Sequence, residues 1–208
     1  LVQRAIEWSK STACNDGQYL DAFDTNAFDN NDGNIGWTSD WLDVDGNGLG
    51  ATLGSVQVAN GRLELNDRPT TGGQPSATRT LTLQGASEAK LTFDYLLGPK
   101  AQQNSDKAVL EISTDGSNWT ELEDFSQWKG NDSGSLEFDL VDYLVEGVQL
   151  RFRIVAGYDT DADEYLAIDN VAVTVCGVVT GSTVPIAHWK FDDGGGSTAI
   201  DSVGGHHG

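Results

Sequence analysis

The chain of 208 residues contains no methionine, two cysteines, four prolines and three histidines. The histidines, His188, His206 and His207, all lie beyond position 187, so no Ser-His-Asp or Cys-His catalytic set can assemble in the long stretch before them. Positive charge is equally scarce: 12 Lys and Arg stand against 32 Asp and Glu, a net charge of −20. Such a surface repels phosphate backbones and anionic headgroups, which excludes nucleic acid and simple membrane-surface binding. No apolar run approaches the roughly 20 residues that span a bilayer, so membrane insertion is excluded as well. Nothing basic-then-apolar opens the chain as a signal peptide would. With Leu1 in place of Met, this reads as a piece of a longer secreted protein. The length allows one core of roughly 150 residues with extra segments at its ends.

What is present is alternation. Arg62-Leu63-Glu64-Leu65-Asn66, Arg79-Thr80-Leu81-Thr82-Leu83 and Lys90-Leu91-Thr92-Phe93-Asp94-Tyr95 each have one apolar and one polar face. The same period of two recurs in Val109–Ser113, Leu136–Leu140, Val148–Ile154 and Ile168–Val173. Thr114-Asp115-Gly116-Ser117 between two such runs is a hairpin turn, since Gly116 can take a positive φ. About ten strands without an intervening helix predict an all-β fold, a two-sheet antiparallel β-sandwich of jelly-roll type. Val2, Ile6 and Trp8 have near-helical spacing and predict a short N-terminal helix. The domain boundaries follow: an upstream tail or linker helix over 1–13, the sandwich over 14–176, a Gly/Ser/Thr-rich linker over 177–185 and a further segment over 186–208. Cys14 and Cys176 stand just outside the first and last strands, where the chain ends of a jelly roll lie side by side. This placement predicts one disulfide closing the domain, in keeping with an oxidising, extracellular compartment.

The acidic residues cluster in two loops. Asp43-Val44-Asp45-Gly46-Asn47-Gly48 alternates oxygen donors and has glycine where a loop must bend, as calcium requires; a solvated turn explains it equally. Asp159, Asp161 and Asp163, followed by Glu164, repeat the alternation; they either share a cation or form a solvated acidic loop. Carboxylates are too abundant for any one pair to stand out as a glycosidase couple, and no enzyme is expected. Trp37, Trp41, Trp128 and Tyr158 lie in polar, loop-like stretches and are candidates for a sugar-stacking platform, with loop anchoring as the alternative. Trp119 follows a turn and is expected to pack inward.

Two resemblances add to this. Phe23-Asp24 at the expected first strand, Gly36-Trp37 a little later and Ile168-Asp169-Asn170-Val171 in the last strand resemble galactose-binding-like carbohydrate-binding modules and the related MAM-like domains. The middle of the chain is similar too, in Leu91–Tyr95, Ala108–Ser113, Asp115-Gly116-Ser117-Asn118-Trp119 and Val148–Ile154. The resemblance implies a structural calcium between the first and last strands, held by Asp24 and Asp169. Ile186-Ala187-His188-Trp189-Lys190-Phe191-Asp192 and Asp201-Ser202 resemble the truncated start of a laminin-G-like, concanavalin-type jelly roll. Together these imply a non-catalytic, calcium-stabilised carbohydrate-binding or adhesion module of a large secreted or cell-surface protein, whose partners are glycans and neighbouring domains of the same chain. The rivals are a structural spacer in an extracellular array and an accessory domain of a carbohydrate-active enzyme.

Overall fold

The computed structural model describes residues 16–45, 50–66, 74–101, 106–158 and 161–177. The short helix expected near the N-terminus, the linker beyond Gly177 and the laminin-G-like segment lie outside the described residues, as do Cys14, Asn47 and Asp159.

The described residues form eleven strands in two antiparallel sheets. They are β1 (Gly17–Asp21), β2 (Leu42–Val44), β3 (Val56–Ala59), β4 (Arg62–Leu65), β5 (Ser76–Leu81) and β6 (Glu88–Leu97). There follow β7 (Lys107–Ser113), β8 (Thr120–Asp124), β9 (Ser133–Asp139), β10 (Val148–Ala156) and β11 (Leu166–Cys176). One sheet runs β3-β4-β11-β6-β9 with β1 added along the second half of β11; the other runs β2-β5-β10-β7-β8. The two-sheet antiparallel sandwich expected from the alternation is therefore present. Its inward sets are those the sequence marks: Leu63 and Leu65; Leu91, Phe93 and Tyr95; Leu150, Phe152 and Ile154. The sheets meet through Phe93 of β6 and Phe152 of β10, whose rings sit edge to face at 5.2 Å.

The first strand differs from expectation. β1 ends at Asp21, and Phe23 lies past its end with φ of 50°, so Phe23-Asp24 turns the chain out of the sheet instead of opening a strand. β11 carries a bulge: Asp169 faces Asp94 and Ala172 faces Thr92, three steps against two. Asn170 takes up the extra residue at φ 51°. Before the bulge β11 pairs with β4, and after it with β1.

The long connection from β1 to β2 is pinned by an ion pair in the core. Asp21 of β1 and Arg79 of β5, in opposite sheets, point inward and are fully buried. Arg79 donates to the Asp21 carboxylate and to the backbone carbonyls of Asn30 and Ser39. Its guanidinium lies 4.6 Å from the Trp37 ring and 5.6 Å from the Trp41 ring.

Candidate functional site

The aromatic residues nominated for a sugar platform are not brought together on the surface. Trp41 is 2% exposed, packs on Phe23 and Phe152, and donates its indole N–H to Asp21 Oδ2 at 2.8 Å. Tyr158 is 3% exposed and belongs to the core. Trp37 is half-buried against Tyr19 at 5.2 Å and donates to the Leu20 carbonyl. Trp128 is half-buried and stacked on Tyr95 at 4.8 Å. The expectation of exposed rings is corrected for Trp41 and Tyr158. A buried charge pair needs a dry lid, and Trp41 supplies it while its polar sequence neighbours face water.

Trp119 also departs from expectation, in the opposite sense. Of the four described tryptophans, Trp41 is in the core and Trp37 and Trp128 pack against it, whereas Trp119 lies on the outer face of the five-stranded sheet. There the Arg151 guanidinium sits over its ring, 3.7 Å from the centroid. The turn before β8 places it. Asp115 Oδ1 accepts from the N–H groups of Ser117 at 2.8 Å and Asn118 at 2.7 Å, and Gly116 takes φ +71°. These donors, with the Asn118 side chain, hold the Asp115 carboxyl far below the usual carboxylate range.

The sheet beneath Trp119 is a polar outer face. Alternation along β10 turns Gln149, Arg151 and Arg153 outward. In register, Arg151 lies between Thr78 of β5 and Glu111 of β7. Glu111 accepts from Arg151 Nη2 at 2.8 Å and from Arg153 Nη2 at 2.6 Å. Burial pushes the Glu111 carboxyl up, but the two guanidiniums outweigh it and hold it below the ordinary value. At the far edge β2 leaves Leu42 64% and Val44 51% exposed. A half-covered indole, a fixed row of donors and acceptors and an aliphatic rim thus share one face. That combination suits a ligand with both apolar C–H faces and hydroxyls.

The carboxylates nominated for calcium divide into groups. Asp45 is buried and accepts from Ser55 N at 3.0 Å and Val56 N at 3.4 Å. Burial and the neighbouring Asp45 raise the pKa of Asp43, which is in β2. Asp161 pairs with Lys100, which lowers its pKa, and accepts from Asp163 N at 3.0 Å; Asp163 is exposed. Asp169 is half-buried, and burial raises its carboxyl pKa, with repulsion from Asp94 and Asp24 adding to the effect. Asp94, directly opposite Asp169 in the strand register, is a carboxylate that the sequence reading missed. Among the described residues no group of three or more His, Cys, Asp or Glu side chains converges as a metal-holding set.

At the closed end of the domain, Asp16 N donates to Val175 O at 3.1 Å, and Gly177 N donates to Asp16 Oδ2 at 2.9 Å. The chain segments next to Cys14 and Cys176 thus lie side by side. Among the described residues there is no free cysteine.

No protein-family model matches the chain, and no curated protein does. Among solved structures the sandwich is similar to the K1 adhesin domain of Lys-gingipain from Porphyromonas gingivalis, at 15% identity and a TM-score of 0.47, over 77% of this chain and 99% of that one. It is similar to a CBM4 structure, at 15% identity and a TM-score of 0.47, over 74% and 96% of the two chains. A family 29 carbohydrate-binding module gives 16% identity and a TM-score of 0.45, over 81% and 96%.

Proposed function

We propose that this chain is a non-catalytic carbohydrate-binding or adhesion module of a secreted or cell-surface protein, and that it meets its glycan on the outer face of the five-stranded sheet. The observation that carries this is Trp119: an indole held off the core, backed by Arg151 and set in a row of fixed polar groups. Because Glu111 already binds Arg151 and Arg153, the face is ordered before any ligand arrives, which lowers the entropy cost of binding. The net charge of −20 favours neutral glycans over polyanions. Calcium supports the sandwich near Asp24 and Asp169, where relief of repulsion among Asp24, Asp94 and Asp169 would stabilise the fold. Cys14 and Cys176 form the closing disulfide.

Isothermal titration against soluble neutral and acidic polysaccharides tests the glycan face. Trp119→Ala should weaken binding by about 1–2 kcal/mol, a factor of about 5–30. Lys90→Ala, on the opposite sheet, should leave it unchanged. No heat across the panel, or equal binding by the Trp119→Ala chain, would refute this reading, and silence across the panel would favour the spacer.

A further inference from the structure

Among the described residues, one strand leaves the rim of the sandwich open. A sheet edge carries a row of unpaired N–H and C=O groups, which pair with another chain unless they are covered, kept short, kinked or charged. The edge of β1 is covered: Asp32 N donates to Leu20 O, Ile35 N to Gln18 O, and Gln18 N to Asn34 Oδ1. β2 and β3 have only three and four residues. β8 is kinked by a bulge opposite Leu110 and Glu111, and Glu121, Glu123 and Asp124 crowd its five residues. β9 is neither covered, short nor bulged. Its seven residues pair with β6 in one unbroken register and include no proline.

The ladder fixes which groups face outward. At its two ends Leu97 N donates to Asp132 O and Leu140 N to Ala89 O. Strict alternation between these bonds makes Gly134, Leu136 and Phe138 the residues bonded to β6. The N–H and C=O groups of Ser135, Glu137 and Asp139 therefore point to the open edge. Leu136 and Phe138 are only half-buried, so apolar surface runs along the same edge.

We infer that β9 pairs antiparallel with β9 of a second copy of this chain, about a two-fold axis at Leu136, joining the two six-stranded sheets into one continuous sheet. The strand is complementary to itself in this register, which uses all seven residues. Ser135 stands opposite Glu137 of the second copy and Ser133 opposite Asp139, so each acid meets a hydroxyl and not another acid. Leu136 meets Leu136, and Phe138 meets Gly134, beside the Tyr95 ring. An axis at Glu137 would instead set two carboxylates face to face. The edge of β8 fails the same comparison, because an axis at Leu122 would oppose Glu121 and Glu123. Lys90 Nζ, 2.8 Å from Glu137 Oε1, offsets the charge next to the join. The net charge of −20 on each copy still opposes approach, so the pairing is weak at low salt and strengthens as salt screens the repulsion.

The test is sedimentation velocity of the full chain from about 10 µM to about 1 mM, in about 50 mM and about 500 mM salt. A monomer–dimer equilibrium is expected, tighter by about tenfold at the higher salt. Hydrogen exchange over the same series reads the edge directly. The amides of Ser135, Glu137 and Asp139 should gain protection with concentration, while those of Leu136 and Phe138 are protected throughout. Ser135→Glu opposes a carboxylate to Glu137 on both sides of the axis and should weaken the dimer about tenfold, whereas Ser135→Lys should tighten it. Ser135→Ala loses only the hydroxyl that donates to Asp94 and should leave the dimer unchanged. All three should retain the parent melting profile. Three results would overturn the inference: a monomer in every condition, Ser135→Glu and Ser135→Lys acting alike, or edge amides protected at every concentration, which would mean that another segment of the same chain covers them. Failure of the Trp119 face to bind a glycan alters none of these readings.

Discussion

The buried pair of Asp21 and Arg79 ties the two sheets together, and the cost of removing one partner follows from its burial. Both side chains are out of water, one on each sheet, and neither has an alternative partner of opposite charge inside the core. Asp21→Ala leaves the Arg79 guanidinium buried between Trp37 and Trp41 with only the carbonyls of Asn30 and Ser39. Breaking such a pair costs about 3–5 kcal/mol, which for a domain of this size lowers Tm by about 6–20 °C. Arg79→Lys should recover little, since an ammonium cannot reach Asp21 and both carbonyls with a planar fork. The combined Asp21→Leu, Arg79→Met chain should be closer to the parent than either single truncation, because the uncompensated charge is gone. Thermal melts followed by tryptophan fluorescence read all of this, since Trp37 and Trp41 flank the guanidinium. A loss below about 1 kcal/mol in Asp21→Ala is what an exposed pair would give, and it would refute the buried pin.

Acid should weaken the Trp119 face through Glu111. Its folded pKa lies below the unfolded value, so its stabilisation is complete above about pH 4.5 and fades as the pH falls through the folded value. Melts from pH 7 to pH 3 should show a shallower acid limb for Glu111→Gln, and parallel limbs would contradict this. Calcium at a thousandfold excess over its dissociation constant should add about 4 kcal/mol relative to chelator. Asp169→Asn should remove more of that gain than Asp161→Asn, whose carboxylate is already paired with Lys100, and identical melts in both buffers would end the calcium proposal. Alkylation of the unreduced chain should label neither Cys14 nor Cys176, and reduction should lower Tm, with about 5 kcal/mol as the chain-entropy ceiling for so long a loop. Labelling of both thiols in the native chain would disprove the staple.

The strands that announced themselves were those with one buried and one wet face. Leu91, Phe93 and Tyr95 on β6 and Leu150, Phe152 and Ile154 on β10 alternate with polar residues because water lies on one side of each sheet. β2 escaped notice because Asp43-Val44-Asp45 has oxygen donors where a loop ligand set would, while Val44 faces out at the sheet edge. The tryptophans misled for a different reason. Local polarity around Trp41 reports the backbone's exposure, whereas the ring's position is set by Asp21 and Arg79, which are far from each other in sequence. Trp119 was legible only in part: the Asp-Gly turn fixes where it starts, but its stacking partner Arg151 arrives from β10. The facing of Asp94 and Asp169 could have been found by pairing the two runs with an acid amid apolar residues, yet the bulge at Asn170 shifts the register after it.

In a chain this acidic, the few cations show where geometry matters more than solubility. Lys90, Lys100 and Lys107 make exposed pairs with Glu137, Asp161, Glu121 and Asp124, contacts of the kind worth about 0–1 kcal/mol. The described arginines are placed otherwise. Arg79 ties the two sheets in the core, Arg151 and Arg153 order the face under Trp119, and Arg62 lines a hollow with Asp94 and Asp169 on the outer face of the six-stranded sheet. Each occupies a position where a rigid fork of donors can do what an ammonium cannot. The surrounding negative field discourages anionic ligands at long range, whereas these forks act at contact, on the Asp21 and Glu111 carboxylates and on the carbonyls of Asn30 and Ser39. Under the proposed function, long-range repulsion of polyanions is what would favour an uncharged glycan over a charged one.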